Sequence, residues 1–264
     1  MNAMTVRNSI LQLAARTQDL GVTLLLWAYF TLGFVIGFAP LYVWVAVTRR
    51  GRLARETGYQ QINHRFYRGF FWLAKTLMPG YRWRISADLL TLQGAVLVCN
   101  HISYLDPLAL MSIYPRHKTI VKGGLFSIPI FGRMLDWSGY IPSDGEGRRG
   151  EILFNQMETM GAFLAAGGIL FIFPEGTRSR DGRLGDFNPG AFKIARNHGV
   201  PLHVLTIKNT AQMFKPGSFS FNSRGSAVIS LDLAGTIGPQ AKGHTHSSRE
   251  MAGLARRLMQ QNEL

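Results

Sequence analysis

With 264 residues, 47% of them hydrophobic, the chain can bury a full core but is too short for two large domains. Its 29 Lys and Arg against 15 Asp and Glu favour anionic partners: membrane lipid, phosphorylated small molecules or nucleic acid. A single cysteine, Cys99, excludes an intramolecular disulfide and a cysteine-rich zinc site, and a reducing compartment is the simpler fit.

Residues 20–48 carry no charge across 29 positions, more than the roughly 20 apolar residues a bilayer crossing needs. This predicts a membrane segment, and the run exceeds a signal-peptide core. Trp27, Tyr29, Tyr42 and Trp44 lie towards its ends, where amphipathic rings prefer the interface. Between residues 49 and 84 there are nine Lys or Arg and one acid, Glu56. That placement favours a membrane surface over nucleic acid, for which no recognition motif is present, and puts the following domain at the cytoplasmic face of the cell membrane. Pro40 either kinks the helix or starts a second, shallow one, so spanning and re-entrant anchors are both open. Residues 66–75 have two readings: an interfacial element with aromatic bulk beside Arg68 and Lys75, or a helix packed on the core.

Past Tyr81 short apolar runs alternate with helical patterns, which predicts an α/β fold, a mixed central sheet flanked by helices. Strands are expected over residues 83–85, 95–99, 119–121, 169–173, 202–207 and 227–231. Helices are expected over 106–113, 130–135, 149–166, 190–197 and 249–260. The chain divides into an N-terminal anchoring segment, 1–79, and a catalytic domain, 80–264, with no internal repeat.

The chemistry lies in two blocks, each following an expected strand. The first is Cys99-Asn100-His101-Ile102-Ser103-Tyr104-Leu105-Asp106. A neutral imidazole can take a proton from a hydroxyl, and a carboxylate on its other nitrogen fixes the tautomer. Asp106-Pro107 is also a natural helix start, and Ser103 and Asp106 have capping-box spacing. The two readings are compatible. The second block, Phe173-Pro174-Glu175-Gly176-Thr177-Arg178, turns tightly at Gly176 and sets Arg178 where a guanidinium can hold phosphate. In open α/β sheets sites form at the carboxyl ends of strands, so the two blocks can meet in one cleft.

These motifs, N-H-x-S-x-x-D and then F-P-E-G-T-R-S, resemble the glycerophospholipid acyltransferase family, in particular the 1-acylglycerol-3-phosphate (lysophosphatidic acid) acyltransferases, from about Gly80 to Thr210. The resemblance implies transfer of an acyl group from acyl-CoA or acyl carrier protein to the sn-2 hydroxyl of a lysophospholipid in a ternary complex. His101 would be the general base and Asp106 its orienting acid. Glu175, Gly176 and Arg178 would match the glycerol-phosphate-binding positions, and Asn100, Thr177 and Lys122 are grouped with them as substrate-binding. The implied partners are membrane lipids, the lysolipid and the acyl donor, with no metal, prosthetic group or nucleic acid.

Two departures from the family pattern bear on the acceptor. The block ending in Asp-Arg reads Gly139-Tyr140-Ile141-Pro142-Ser143-Asp144-Gly145, which leaves Arg148 or Arg149 as substitutes for a lost phosphate contact. The V-P-x-x-P block reads Val200-Pro201-Leu202-His203-Val204, where His203 is expected to be a satisfied core histidine. An acceptor other than lysophosphatidate, such as an amino-acid-containing lipid, is therefore the alternative substrate. Residues 125–131 either line an acyl groove or pack in the core. Three rival readings are a Cys99–His101 acyl-enzyme pair, a metal held by His244 and His246, and a non-catalytic lipid-binding protein.

Overall fold

The computed structural model describes residues 3–179, 182–238 and 246–263. A continuous helix opens the chain: α1 (Ala3–Ala28) widens into a π-helical stretch, Tyr29–Phe38, and resumes as α2 (Ala39–Thr48). Pro40 lies in the first turn of α2, where its missing N–H is tolerated, and the wider π hydrogen bonding ends just before it. A turn at Arg49, Arg50 and Gly51 then sends α3 (Arg52–Leu77) back along this helix. The two approach closely: a Cβ at Gly58 would overlap the Val45 methyls, and one at Gly69 would overlap the Tyr29 hydroxyl. Tyr29 stacks on Phe66 and Tyr42 on Tyr59.

The two readings of residues 66–75 resolve in favour of core packing. Phe66, Phe70, Phe71 and Ala74 are buried, and only Trp72 of the aromatic group stands well out. Earlier in α3, Glu56 is buried in an ion pair with Lys118 at 2.8 Å, and Gln156 also donates to it at 2.9 Å. Cutting any member of such a buried cluster leaves a charge uncompensated. So α3, grouped with the anchor in the 1–79 division, is a wall of the main core.

The remaining elements are β1 (Tyr81–Ile85), β2 (Ala95–Cys99), α4 (Leu105–Ile113), β3 (His117–Val121), α5 (Phe131–Trp137), β4 (Ile141–Pro142), α6 (Arg148–Ala165), β5 (Ile169–Ile172), α7 (Gly190–His198), β6 (Leu202–Lys208), α8 (Thr210–Met213), β7 (Ala227–Ile237) and α9 (Ser248–Glu263). One seven-stranded sheet runs β1-β7-β6-β2-β5-β3-β4. Every pair is parallel except β6 with β7, so the sheet is mixed, as expected. Every residue of β2 is buried, the mark of a parallel strand covered on both faces. Leu97 and Cys99 face α3 and α4, while Val96 and Val98 face α6, α7 and α9. All six expected strands and all five expected helices form; β4 was not anticipated, because two residues carry no periodicity.

Candidate active site

Strands β6, β2 and β5 are parallel neighbours, so the segments leaving their carboxyl ends meet at one edge of the sheet. From β2 comes the loop bearing His101. Its Nδ1 lies 2.9 Å from Asp106 Oδ2. A carboxylate only accepts, so Nδ1 carries the proton and Nε2 is left as the basic nitrogen. Asp106 is fully buried, and the same Oδ2 accepts the backbone N–H groups of Ile102 and Ser103 at 2.7 Å each. The helix-start and orienting readings of Asp106 therefore coexist in one side chain.

The other carboxylate oxygen, Oδ1, accepts the Thr210 hydroxyl at 2.6 Å. Thr210 is fully buried at the start of α8, just past β6, and is delivered there by Asn209 in a left-handed conformation at φ +67°. A non-glycine residue held there marks a position the surrounding fold over-determines. Sequence reasoning did not single out Thr210. Only the adjacency of β6 and β2 brings it to the dyad, and no local motif announces that adjacency.

From β5 comes the second block, which grips the histidine from both sides. Phe173 stacks on the imidazole at 4.2 Å between ring centroids. Glu175 Oε1 accepts the His101 N–H at 3.1 Å, and the Ser179 N–H donates to the His101 carbonyl at 2.8 Å. Glu175 Oε2 accepts the Gly185 N–H at 2.9 Å. Two residues grouped with the substrate contacts thus have their side chains committed within the protein. One is Glu175. The other is Asn100, whose amide donates to the Ile207 carbonyl at 2.9 Å and accepts its N–H at 2.7 Å, extending the β2–β6 ladder through a side chain. Both brace the histidine loop.

Arg178 packs over the histidine loop. Its guanidinium lies 3.5 Å from the centroid of the Tyr104 ring, and its Nη1 is buried without a hydrogen-bond partner among the described residues. A buried, unpaired guanidinium N–H is costly unless an anion completes it. Gly176 makes the turn at φ +69°, Thr177 is exposed beside it, and Lys122 is exposed at the end of β3. Arg148 and Arg149 do not replace the lost arginine: Arg148 bonds Asp136 at 3.0 Å, and Arg149 bonds Asp144 and Glu146.

The rivals fare as follows. Cys99 is fully buried, and burial together with the Asp106 and Glu175 charges pushes its thiol well above the ordinary range. A thiolate there is disfavoured. His203 is hydrogen-bonded to Thr236 at 2.8 Å, as expected, but it is only partly buried and does not sit in the core. His244 lies outside the described residues, and among those described no group of three metal-binding side chains gathers. In the 125–131 stretch Leu125 and Phe126 pack on the core while Ile128, Ile130 and Phe131 are exposed.

The acyltransferase family profile matches residues 82–208, which hold both blocks. That stretch is a little under half of the chain. Curated relatives include the chloroplastic 1-acyl-sn-glycerol-3-phosphate acyltransferases of Brassica napus, 33% identical over 65% of this chain and 50% of the relative, and Arabidopsis thaliana, 34% identical over 65% and 48%. The chain thus spans about half the length of these plant relatives. The 1-acyl-sn-glycerol-3-phosphate acyltransferase of Salmonella typhimurium is 27% identical over 67% of this chain and 70% of its own. The crystal structure of the 1-acyl-sn-glycerophosphate (LPA) acyltransferase PlsC from Thermotoga maritima superposes with a TM-score of 0.70, covering 94% of this chain and 98% of that one. At 18% identity this last likeness shows that the chain shares the fold.

Proposed function

We propose that the protein is an acyltransferase that moves a fatty acyl group from acyl-CoA or acyl carrier protein to the sn-2 hydroxyl of 1-acylglycerol-3-phosphate at the cytoplasmic leaflet. The observation that carries this reading is the His101–Asp106 pair, with Nδ1 held by a buried carboxylate, together with Arg178, packed on Tyr104 of the same loop with its Nη1 unpaired among the described residues. His101 Nε2 takes the hydroxyl proton as the oxygen attacks the thioester carbonyl. The tetrahedral intermediate then collapses, the C–S bond breaks, and the imidazolium returns the proton to the leaving thiolate. Arg178, backed by the Tyr104 ring, holds the acceptor phosphate. A purely lipid-binding protein has no use for a buried carboxylate aligned on an imidazole.

The helix 16–48 is long and apolar enough to cross a membrane. It nevertheless touches the rest of the protein from Asp19, bonded to Ser223, to Val45, packed on Gly58. About 1.5 Å of rise per residue makes that contact some 39 Å long, so a perpendicular crossing would drag the domain into the hydrocarbon. The arrangement supports a helix lying in the plane of one leaflet. Leu24, Leu25, Leu32, Val35, Ile36, Val43, Trp44 and Val47 form its exposed outer side. The exposed Arg49 and Arg50 at its end are placed to meet anionic headgroups.

Gly145, in the place of an arginine, supports a second reading in which the acceptor carries another headgroup. The test is product analysis by mass spectrometry after incubating the purified protein with a long-chain acyl-CoA or acyl carrier protein and a panel of lysolipids. Phosphatidic acid as the main product supports the first reading. A different diacyl lipid moves the acceptor to the second, and no acylated lipid from any acceptor refutes both.

A further inference from the structure

α1 presents polar groups at every fourth residue, Asp19, Thr23 and Trp27, and each holds the loop that follows α8. Asp19 Oδ1 accepts from the Ser223 N–H at 3.0 Å and its hydroxyl at 2.6 Å, while Oδ2 accepts from Arg224 at 3.2 Å. Thr23 Oγ1 accepts the Phe221 N–H at 3.0 Å. The Trp27 indole N–H donates to the Phe219 carbonyl at 3.2 Å. Each four-residue step along the helix thus meets a two-residue step back along the loop.

The ladder places Phe219 at the edge of the apolar face. Its ring stacks on Trp27 at 5.9 Å between centroids, yet 59% of the residue stays exposed. Leu20 and Leu24, 48% and 53% exposed, follow Asp19 and Thr23 by one residue, or about 100° around the helix. Phe219 therefore continues the outer apolar strip sideways. Lys215 is exposed further back along the segment, and next to it the Phe214 carbonyl accepts the Ser103 hydroxyl of the histidine loop at 3.1 Å.

We infer that residues 214–224 form a second membrane contact, in which Phe219 and Trp27 enter the acyl-chain layer and Lys215 meets anionic headgroups. This rests on the in-plane placement of α1 proposed above. Its consequence is a lipid surface that reaches to within a few residues of His101, so an acceptor need only slide out of the leaflet beside Tyr104 to reach the base.

The buried Cys99 leaves the protein open to single-site labelling. Phe219→Cys, Val35→Cys on the outer face, and Glu158→Cys on α6 in the opposite helical layer are each labelled with an environment-sensitive fluorophore. Each is then mixed with phosphatidylglycerol-containing vesicles whose acyl chains carry bromine or nitroxide. All three positions are exposed, so the substitutions leave the fold intact. Quenching at 219 and 35, with 158 as the unquenched solvent reference, is the expected result. Phe219→Ser should also weaken vesicle binding about tenfold. Quenching at 35 but not at 219 overturns the second contact and leaves the in-plane helix standing. Quenching at neither overturns both.

Discussion

Replacing Thr210 by valine removes a single hydroxyl and keeps the side-chain volume, which isolates its hydrogen bond to the Asp106 carboxylate. Asp106 has four donors: the imidazole and two backbone N–H groups on one oxygen, and Thr210 as the partner of the other. A hydrogen bond to a charged group contributes about 1.5–3 kcal/mol. At about 1.4 kcal/mol per decade of rate, the bond corresponds to roughly ten- to a hundredfold. Because three donors still hold the other oxygen, we expect the lower end, about a tenfold fall in kcat with the acceptor KM unchanged. Thr210→Ser keeps the hydroxyl and should recover most of the rate. The assay is acceptor-dependent thiol release from a long-chain acyl thioester, with thermal unfolding confirming a folded variant. A folded Thr210→Val enzyme with wild-type kcat would refute the claim that the hydroxyl sets the carboxylate, and so would a serine variant as slow as valine.

Tyr104→Leu removes the shelf under Arg178, a cation–π contact worth about 0.5–2 kcal/mol, and should raise the acceptor KM roughly two- to thirtyfold while the donor KM stays put; equal effects on both substrates would count against the shelf. Cys99→Ala should retain acyl transfer, since a buried thiol with its ionisation suppressed cannot act as a nucleophile; loss of activity in a folded variant would revive the acyl-enzyme route. His117 is fully buried between the Tyr114 carbonyl and the Tyr140 hydroxyl, and burial lowers its pKa from 6.5 to about 4. The unfolded chain therefore binds the extra proton first, so stability is complete above pH ~6.5 and falls between there and pH ~4, by roughly 3 kcal/mol from this group. Urea midpoints measured at pH 7 and pH 5 check this against His117→Gln, which should show a shallower pH dependence; identical slopes would remove His117 as the cause.

The sheet and its helices were legible because each strand is a short apolar run bounded by turn residues, as in Ala95–Cys99, and each long helix has a 3.6-residue period. The extent of α3 was less legible. Its first half, Arg52 to Arg65, looks like a basic solvated stretch, and the buried Glu56–Lys118 pair that draws it into the core joins residues 62 apart. The His101–Asp106 contact was readable because the two are five residues apart, and Arg178 stood out because it follows a turn within one block. Asn100 and Glu175 sit in the same motifs, and residue type alone does not distinguish a side chain that faces a ligand from one that clamps the loop presenting it. Thr210 required the strand order, since 104 residues separate it from Asp106. The lone apolar run gave the helix its length but not its packing on the loop after α8. That packing depends on Asp19, Thr23 and Trp27, whose partners lie some two hundred residues away.

The central claim is that His101 takes the proton from the acceptor hydroxyl, and the most direct measurement is 1-acylglycerol-3-phosphate-dependent thiol release by wild type and His101→Ala under identical vesicle conditions. The account predicts release that requires the lysolipid and falls by about a hundred- to ten-thousand-fold in the variant, with vesicle binding and the unfolding temperature preserved. Wild-type turnover by a folded His101→Ala protein would contradict it.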